Sequence, residues 1–508
     1  MSIANRISRA TGFVSIATLL ARLGTFLANL VIIRLLSHEQ LGALGLFESW
    51  LTIATMFSLF GLTTAVSKFI AEYLETNAQH VGGIIGAALL LASLLGLVTG
   101  ACISLAAQTE LVQALGTPGV LLREYGGIFA GLIIVSTLRQ MLTSIIYGLQ
   151  SFHILIIVNI VVGITSFPVS SILAALYQLT GALQARLVLG LIETAVLGYL
   201  AGRTVHRAGI RLSFRTPRLY VTQLLAFGFP TFVGQLAANP VQPLAMSVLA
   251  SQANGLQQLG LFTAAGRLSS LVSFLPGAMA TTLIPIFSSE WGQGDRARYS
   301  KGILLALRMF WLATTPIVVF FVACSPLLLT TLYGVSFRPA WTLAVGLLVL
   351  TLLSSLNETS DRSLVAAGRI WLSTSGNFIW AVLFLGAALW LIPQYQVTGY
   401  LISYIITFMI YVGLQLVWLQ RLFSIRVKDL LPMLGSAVPL LGASYLVAFF
   451  GNSFFQLLGA FALFGLSLVS EWYLLLTEKE RLAIKARMQK LRLAGALLMS
   501  QLHTRPRF

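Results

Sequence analysis

Apolar runs of helical-span length follow one another from Thr11 to Leu476 with only short polar connections between them. A membrane-crossing helix needs about 20 mostly apolar residues. On that measure the runs predict spans at 11–33, 43–66, 81–107, 124–149, 153–178, 182–202, 222–249, 259–287, 303–324, 341–362, 371–392, 398–419, 433–451 and 454–476, about 14 in all. Arg or Glu interrupts several of these runs in mid-span. A charged side chain costs roughly 2.5–3.5 kcal/mol at the centre of an inserted helix, so the interruptions demand a purpose, and an anionic cargo is the obvious one.

Composition agrees with the pattern. Of 508 residues, 57% are hydrophobic and 9% charged, against about 25% charged in a soluble chain. The expected class is an all-α polytopic membrane protein. The net charge of +17 does not read as nucleic-acid binding, because the basic residues gather in connecting segments and at the C-terminus. Arg203, Arg207, Arg211, Arg215 and Arg218 lie on one set of loops, with Arg296, Arg298, Lys301, Arg369, Arg421, Arg426 and Lys428. The other set offers little beyond Arg34, Arg123 and Arg338. Positive charge marks the cytoplasmic side, so both termini are expected in the cytoplasm. The first run contains Arg22 and is too long for a leader's apolar segment, so no cleaved leader is expected. Cys102 and Cys324 both fall in apolar runs and read as buried thiols.

The expected organisation is an N-terminal lobe (1–218, spans 1–6), a C-terminal lobe (219–430, spans 7–12), two appended spans (431–476) and a basic amphipathic tail (477–508) on the cytoplasmic leaflet. Leu41-Gly-Ala-Leu-Gly-Leu-Phe47 matches Leu256-Gln-Gln-Leu-Gly-Leu-Phe262 at an offset of 215 residues. The copies open spans 2 and 8, equal positions in two sets of six. Transporters are commonly built from such repeats, with the substrate between them.

Enzyme chemistry is nearly absent from the sequence. No Lys follows a Gly, so no phosphate-binding loop can be drawn. His38, His80, His153, His206 and His503 are scattered, Asp occurs only at Asp295, Asp361 and Asp429, and the loops are too short for a catalytic ectodomain. No cofactor or resident metal is expected. The chemistry lies in the intramembrane ionisable set: Arg22, Glu48, Arg139, Arg186, Glu193, Arg267, Arg308, Glu358, Asp361 and Arg362. Such residues face a bundle interior or a wet cavity. Arg22 and Arg267 fall one in each half and could converge on an anion, whose oxygens suit the planar guanidinium fork. Arg34 lies at the outer mouth and could guide a phosphate. Each arginine could instead neutralise a nearby Glu. Arg186 and Glu193, seven apart, share a helix face. Glu358 and Arg362, four apart with Glu leading, suit a helix ion pair. Glu48, Glu193, Glu358 and Asp361 remain open between ion pairing and a site for a coupling cation, Na+ or H+.

Span 7 carries the other signal. Pro230, Gln235, Asn239, Pro240, Gln242 and Pro243 sit within one apolar stretch. Proline removes a backbone hydrogen bond and kinks a helix, and in lipid the freed carbonyls need partners. The stretch predicts a broken span lining a cavity, a candidate gate or hinge.

Arg22, the segment Ile33-Arg-Leu-Leu-Ser-His-Glu-Gln-Leu-Gly-Ala-Leu-Gly-Leu-Phe47, Ser67-Lys-Phe-Ile-Ala-Glu72 and Ala366-Ala-Gly-Arg369 resemble the polysaccharide-type flippases. These are the Wzx-like O-antigen and oligosaccharide flippases of the multidrug/oligosaccharidyl-lipid/polysaccharide (MOP) exporter superfamily. The resemblance implies two six-helix lobes around a central cationic cavity. It also implies passage of a polyprenyl-pyrophosphate-linked oligosaccharide from the inner to the outer leaflet of a bacterial inner membrane. By position, Arg22 and Arg267 match the family's pyrophosphate-binding arginines. Arg34, Arg139 and Arg186 extend that set on the reading of the residues alone. Lipid-linked oligosaccharide and membrane lipids are the implied partners, with a polysaccharide polymerase or other assembly protein further off. The motif-rich first loop of the lipid II branch is missing, which points away from that substrate. The alternative is a cation-coupled multidrug or metabolite antiporter of the same superfamily, although that branch favours acidic sites and here the deep arginines outnumber the deep carboxylates.

Overall fold

The computed structural model describes residues 23–76, 78–110, 116–213, 218–280, 283–423, 425, 427–450, 452–478 and 480–482. Arg22 and the basic tail beyond Leu482 lie outside the described residues. Helices α1 (Leu23–Leu35), α2 (His38–Leu59), α3 (Leu62–Thr76), α4 (Ala78–Ala106), α5 (Thr117–Gly148) and α6 (Phe152–Arg207) come first. Then follow α7 (Arg218–Ala238), α8 (Val241–Ala250), α9 (Gly255–Ala280), α10 (Leu283–Gly292), α11 (Arg296–Leu332), α12 (Trp341–Ala366), α13 (Ile370–Phe423), α14 (Leu431–Val447) and α15 (Ser453–Leu475). No strand occurs among the described residues. Nine helices among them are long and apolar enough to cross a membrane. The protein is an all-α, multi-pass membrane protein.

Two of those nine are not single rods. α6 has 56 residues and α13 has 54, and each contains one non-helical residue: Gln178 at φ 49°, ψ −122° and Gln396 at φ 53°, ψ −128°. Residues eight apart in a continuous helix are about 12 Å apart. Here a Cβ on Gly181 would lie 1.8 Å from the Leu173 carbonyl oxygen, and one on Gly399 2.2 Å from that of Leu391. The chain therefore reverses at each Gln, and only glycine allows the backbones to approach so closely. Across the first hairpin, Ile154 and Val158 bury against Leu197 and Ala201.

These pairs also fix the internal repeat. Gln178 and Gln396, Gly181 and Gly399, and Leu173 and Leu391 all differ by 218 positions. The crossing of α2 and α9 repeats the same spacing: a Cβ on Gly42 would sit 1.9 Å from the Leu256 carbonyl oxygen, and one on Gly260 1.9 Å from that of His38. The repeat is real in the structure, but the 215-residue register of the sequence match is three residues short. Leu41-Gly42 and Leu44-Gly45 are themselves three apart, so either pair can be laid on Leu259-Gly260. Packing selects Gly42, because that glycine and Gly260 each admit a backbone carbonyl of the other helix.

The chain divides into two compact units. Unit 1 takes Met1–Arg267, Leu329–Leu343 and Asn377–Thr407; unit 2 takes Leu268–Leu328, Ala344–Gly376 and Phe408–Phe508. This division follows packing, whereas a division at 218, 430 and 476 follows counted spans. In unit 1, Leu62, Val66 and Ile70 bury against Ile84, Ala88, Met141 and Leu224. In unit 2, Ala323 and Cys324 of α11 meet Ala460 of α15, and Phe320 contacts Phe461 with ring centroids 5.1 Å apart. Cys324 is buried as expected, but Cys102 is exposed on α4. An apolar run specifies insertion without specifying which face meets protein.

Candidate functional site

The site lies within unit 1 and is organised by α2. Ser37 and Gln40 form a reciprocal cap at its start: Ser37 Oγ accepts from the Gln40 amide at 3.2 Å, and Gln40 Oε1 accepts from the Ser37 amide at 3.1 Å. The cap fixes the helix origin and hence which side chains point inward. Gln40 Nε2 also donates to Gln178 Oε1 at 2.7 Å, so the α2 start is tied to the hairpin turn of α6. Gln258 repeats the device at the start of α9, where its side chain accepts from the Val397 amide at 3.0 Å.

From that origin Glu48, Thr52, Thr55, Met56 and Leu59 fall at helical spacing on one face. They line a cavity of about 400 Å³ together with Thr63, Ser136, Arg139, Gln140, Arg186, Gln235 and Asn239. Glu48 gathers the charged groups at its wall. Arg186 from α6 and Arg267 from α9 both donate to the Glu48 carboxylate. The Glu48, Arg267 and Arg186 side chains are 24%, 26% and 32% exposed, so the cluster is neither sealed nor freely solvated. Arg186 Nε is buried without a hydrogen-bond partner among the described residues. Two guanidinium groups on one carboxylate leave one positive charge in excess. Beside them Arg139 and Glu193 pair at 3.4 Å and cancel.

A second cavity of about 360 Å³ is lined by Ser49, Thr52, Asn239, Gln242, Pro243, Met246, Asn377 and Trp380. It shares Thr52 and Asn239 with the first. Its hydroxyls, amides and indole suit a polar, uncharged ligand such as a sugar, which hydrogen-bonds at its edges and offers an apolar ring face. The α7–α8 break falls at Asn239–Pro240, between the two cavities. Pro230 lies inside the continuous helix α7, and Pro243 lies inside α8. Gln242 Nε2 donates to the Tyr404 hydroxyl at 2.7 Å, anchoring the start of α8.

The remaining sequence candidates are placed elsewhere. Arg34 donates to the Thr331 and Leu332 carbonyls at 2.5 and 2.6 Å, so it caps the last turn of α11. Glu358 and Arg362 pair with each other at 3.2 Å on α12. Asp361 accepts a hydrogen bond from Ser373. Arg186 and Glu193 share a helix face, yet each finds its partner on another helix. The uncharged lining residues Thr52, Thr55, Thr63, Ser136 and Gln140 were not singled out in the sequence. The spacing of Thr52 and Thr55 from Glu48 was the available signal. Glu471, inside the last apolar run, also escaped the ionisable set, and α15 buries it completely.

Residues 7–291 match the polysaccharide biosynthesis protein family, more than half of the chain. The chain belongs to this family. No curated relative matches it by sequence. Among solved structures, the lipid II flippase MurJ in an inward closed conformation aligns with a TM-score of 0.71 and 16% identity, covering 90% of this chain and 97% of that one. An inward-facing multidrug resistance MATE family transporter of the MOP superfamily aligns at 0.66 and 17%, covering 79% and 94%. A MOP superfamily transporter from Pyrococcus furiosus, described by the reverse polarity of its binding pocket, aligns at 0.58 and 18%, covering 81% and 95%. This member of the polysaccharide biosynthesis family therefore has the MOP transporter fold.

Proposed function

We propose that this protein is a flippase. It moves a polyprenyl-pyrophosphate-linked oligosaccharide, an O-antigen or other polysaccharide repeat unit, from the cytoplasmic to the outer leaflet of a bacterial inner membrane. The observation that carries this reading is the sharing of Glu48 by Arg186 and Arg267 at a polar cavity inside an apolar bundle. Burying ionised groups in such a setting is costly unless they are paired, and here pairing still leaves a cationic excess. A pyrophosphate brings several acceptor oxygens and more than one negative charge, so it displaces the single carboxylate from the guanidinium forks. Family membership supports a polysaccharide cargo, and the MurJ fold supports passage of a lipid-linked one.

In this reading Arg267 and Arg186 hold the pyrophosphate, and Arg139, on the wall of the same cavity, joins them when the anion draws it away from Glu193. Arg22 joins them by its position in the family pattern. The cavity beside Trp380 takes the first sugars, while the polyprenyl chain stays in the bilayer. Bending at Asn239–Pro240 switches access between leaflets. Both termini stay in the cytoplasm, no bond of the cargo is made or broken, and a polymerase receives the unit outside. Arg34, committed to two carbonyls, secures a helix end and takes no part in capture. The test is surface polysaccharide in a strain lacking its own flippase. The wild type restores it, whereas Arg186→Gln and Arg267→Gln do not, at equal protein levels in the membrane. Normal export by both variants, or export of cationic drugs in place of glycan, overturns the reading.

A further inference from the structure

Glu471 on α15 is fully buried, at 0% exposure, inside a helix long and apolar enough to cross a membrane. Neither of its carboxylate oxygens has a hydrogen-bond partner among the described residues. The described groups that face it are the Thr315 hydroxyl of α11 and the Ser436 hydroxyl of α14. Both hydroxyls are near enough to act on it, yet neither carboxylate oxygen is satisfied, and Ser436 donates to the Met433 carbonyl at 2.9 Å. No charged side chain among the described residues pairs with it.

The surroundings are as unusual as the carboxylate. Trp311, Thr314 and Thr315 are fully or almost fully buried on α11, and the indole N–H and both hydroxyls lack hydrogen-bond partners among the described residues. Spaced at i, i+3 and i+4, they share one face of the helix, within its apolar stretch from Met309 to Ala323. Pro316 follows at once. It cannot donate to the Leu312 carbonyl, so α11 is weakened where the carboxylate meets it. Native interiors satisfy the great majority of buried polar groups, and a cluster left unsatisfied calls for a function.

We propose that Glu471, with Thr315 and Ser436, is a proton-binding site at the junction of α11, α14 and α15. A bare carboxylate sealed in apolar surroundings without a cation is untenable by many kcal/mol, and a proton is the one ligand that needs no added space. Uptake forms an O–H bond on the Glu471 carboxylate and discharges it. Release returns the proton to water when bending at Pro316 opens the junction. The site would let a proton gradient drive the transport cycle. That coupling role rests on the flippase reading; proton binding does not.

The test uses the full-length protein in liposomes and a hydrophobic carbodiimide. This reagent adds the O–H of a protonated acid across a C=N bond, and the adduct rearranges to a stable N-acylurea that peptide mapping locates. Labelling at Glu471 should fall at least about tenfold as pH is raised, be indifferent to sodium, and vanish in Glu471→Gln. In infrared difference spectra, Glu471→Gln should also lose a carboxylic-acid carbonyl band that the wild type shows. Protection by sodium at constant pH, labelling independent of pH, or an unchanged infrared band overturns the proposal. For coupling, Glu471→Gln should keep pyrophosphate binding yet lose the dependence of export on external pH. If wild-type protein neither binds pyrophosphate nor exports glycan while Glu471 still titrates, the flippase reading fails and the proton site stands.

Discussion

Replacing Glu48 by Gln tests the centre of the site, because stability and anion binding should move in opposite directions. Gln keeps the shape and one acceptor oxygen but removes the charge that Arg186 and Arg267 share. Breaking a buried pair costs about 3–5 kcal/mol, and exposed pairs are worth about 0–1 kcal/mol. With the three side chains between 24% and 32% exposed, the expected loss is intermediate, about 2 kcal/mol. Part of that loss is repulsion between the two guanidiniums, so it should shrink when one is also removed. In a double-mutant cycle, Glu48→Gln with Arg267→Gln should recover about 1–2 kcal/mol relative to the sum of the single changes. Pyrophosphate should respond the other way. Removing the competing carboxylate raises the local charge from one to two positives, and two unit charges about 4 Å apart interact by up to about 4 kcal/mol at intermediate dielectric. At least tenfold tighter binding is expected, equivalent to about 1.4 kcal/mol. The assay is the melting of detergent-solubilised protein with and without pyrophosphate. Additivity within about 0.5 kcal/mol, or a smaller pyrophosphate shift in Glu48→Gln, would refute the reasoning.

Other consequences are simpler to measure. Gly42→Ala and Gly260→Ala should each destabilise by about 1–3 kcal/mol, since each Cβ would meet a carbonyl oxygen at 1.9 Å. Gly202→Ala, at an exposed position of α6 with no described residue within 4 Å of the added carbon, should stabilise by up to about 1 kcal/mol; thermal melting distinguishes the opposite signs. Arg34→Ala should fray the end of α11 at a cost below about 1 kcal/mol and leave the pyrophosphate shift intact, which a binding role would not. Arg362→Gln should cost no more than about 0.5 kcal/mol and leave export unchanged, because its partner Glu358 lies one turn away on the same helix.

Several features were legible because they depend on neighbours along the chain. The broken span at Asn239–Pro240 follows from proline's missing N–H, and the Glu358–Arg362 pair follows from helix pitch. The site was legible only as a set of residue types. Glu48 lies 219 positions from Arg267 and 138 from Arg186, and no local rule brings them together. The same holds for Arg34, which the sequence placed at a mouth and the fold commits to carbonyls 297 and 298 positions away. Glu471 went unnoticed because one carboxylate in an apolar run becomes exceptional only when its described neighbours turn out to be hydroxyls, with no cation among them.

The sequence by itself determined that this chain lives in a membrane, since its apolar runs can be satisfied nowhere else, and that cations would be held inside it. It also carried the repeat, though in a frame that hydropathy alone could not resolve. Tertiary structure decided the frame of 218 residues, because only two glycines admit the crossing carbonyls of α2 and α9. It likewise decided which arginines share a carboxylate and that Glu471 is buried with no cation beside it among the described residues. Hydropathy is a property of single residues and their immediate neighbours. Charge pairing and backbone approach are properties of helices hundreds of positions apart, and they exist only once the bundle has formed.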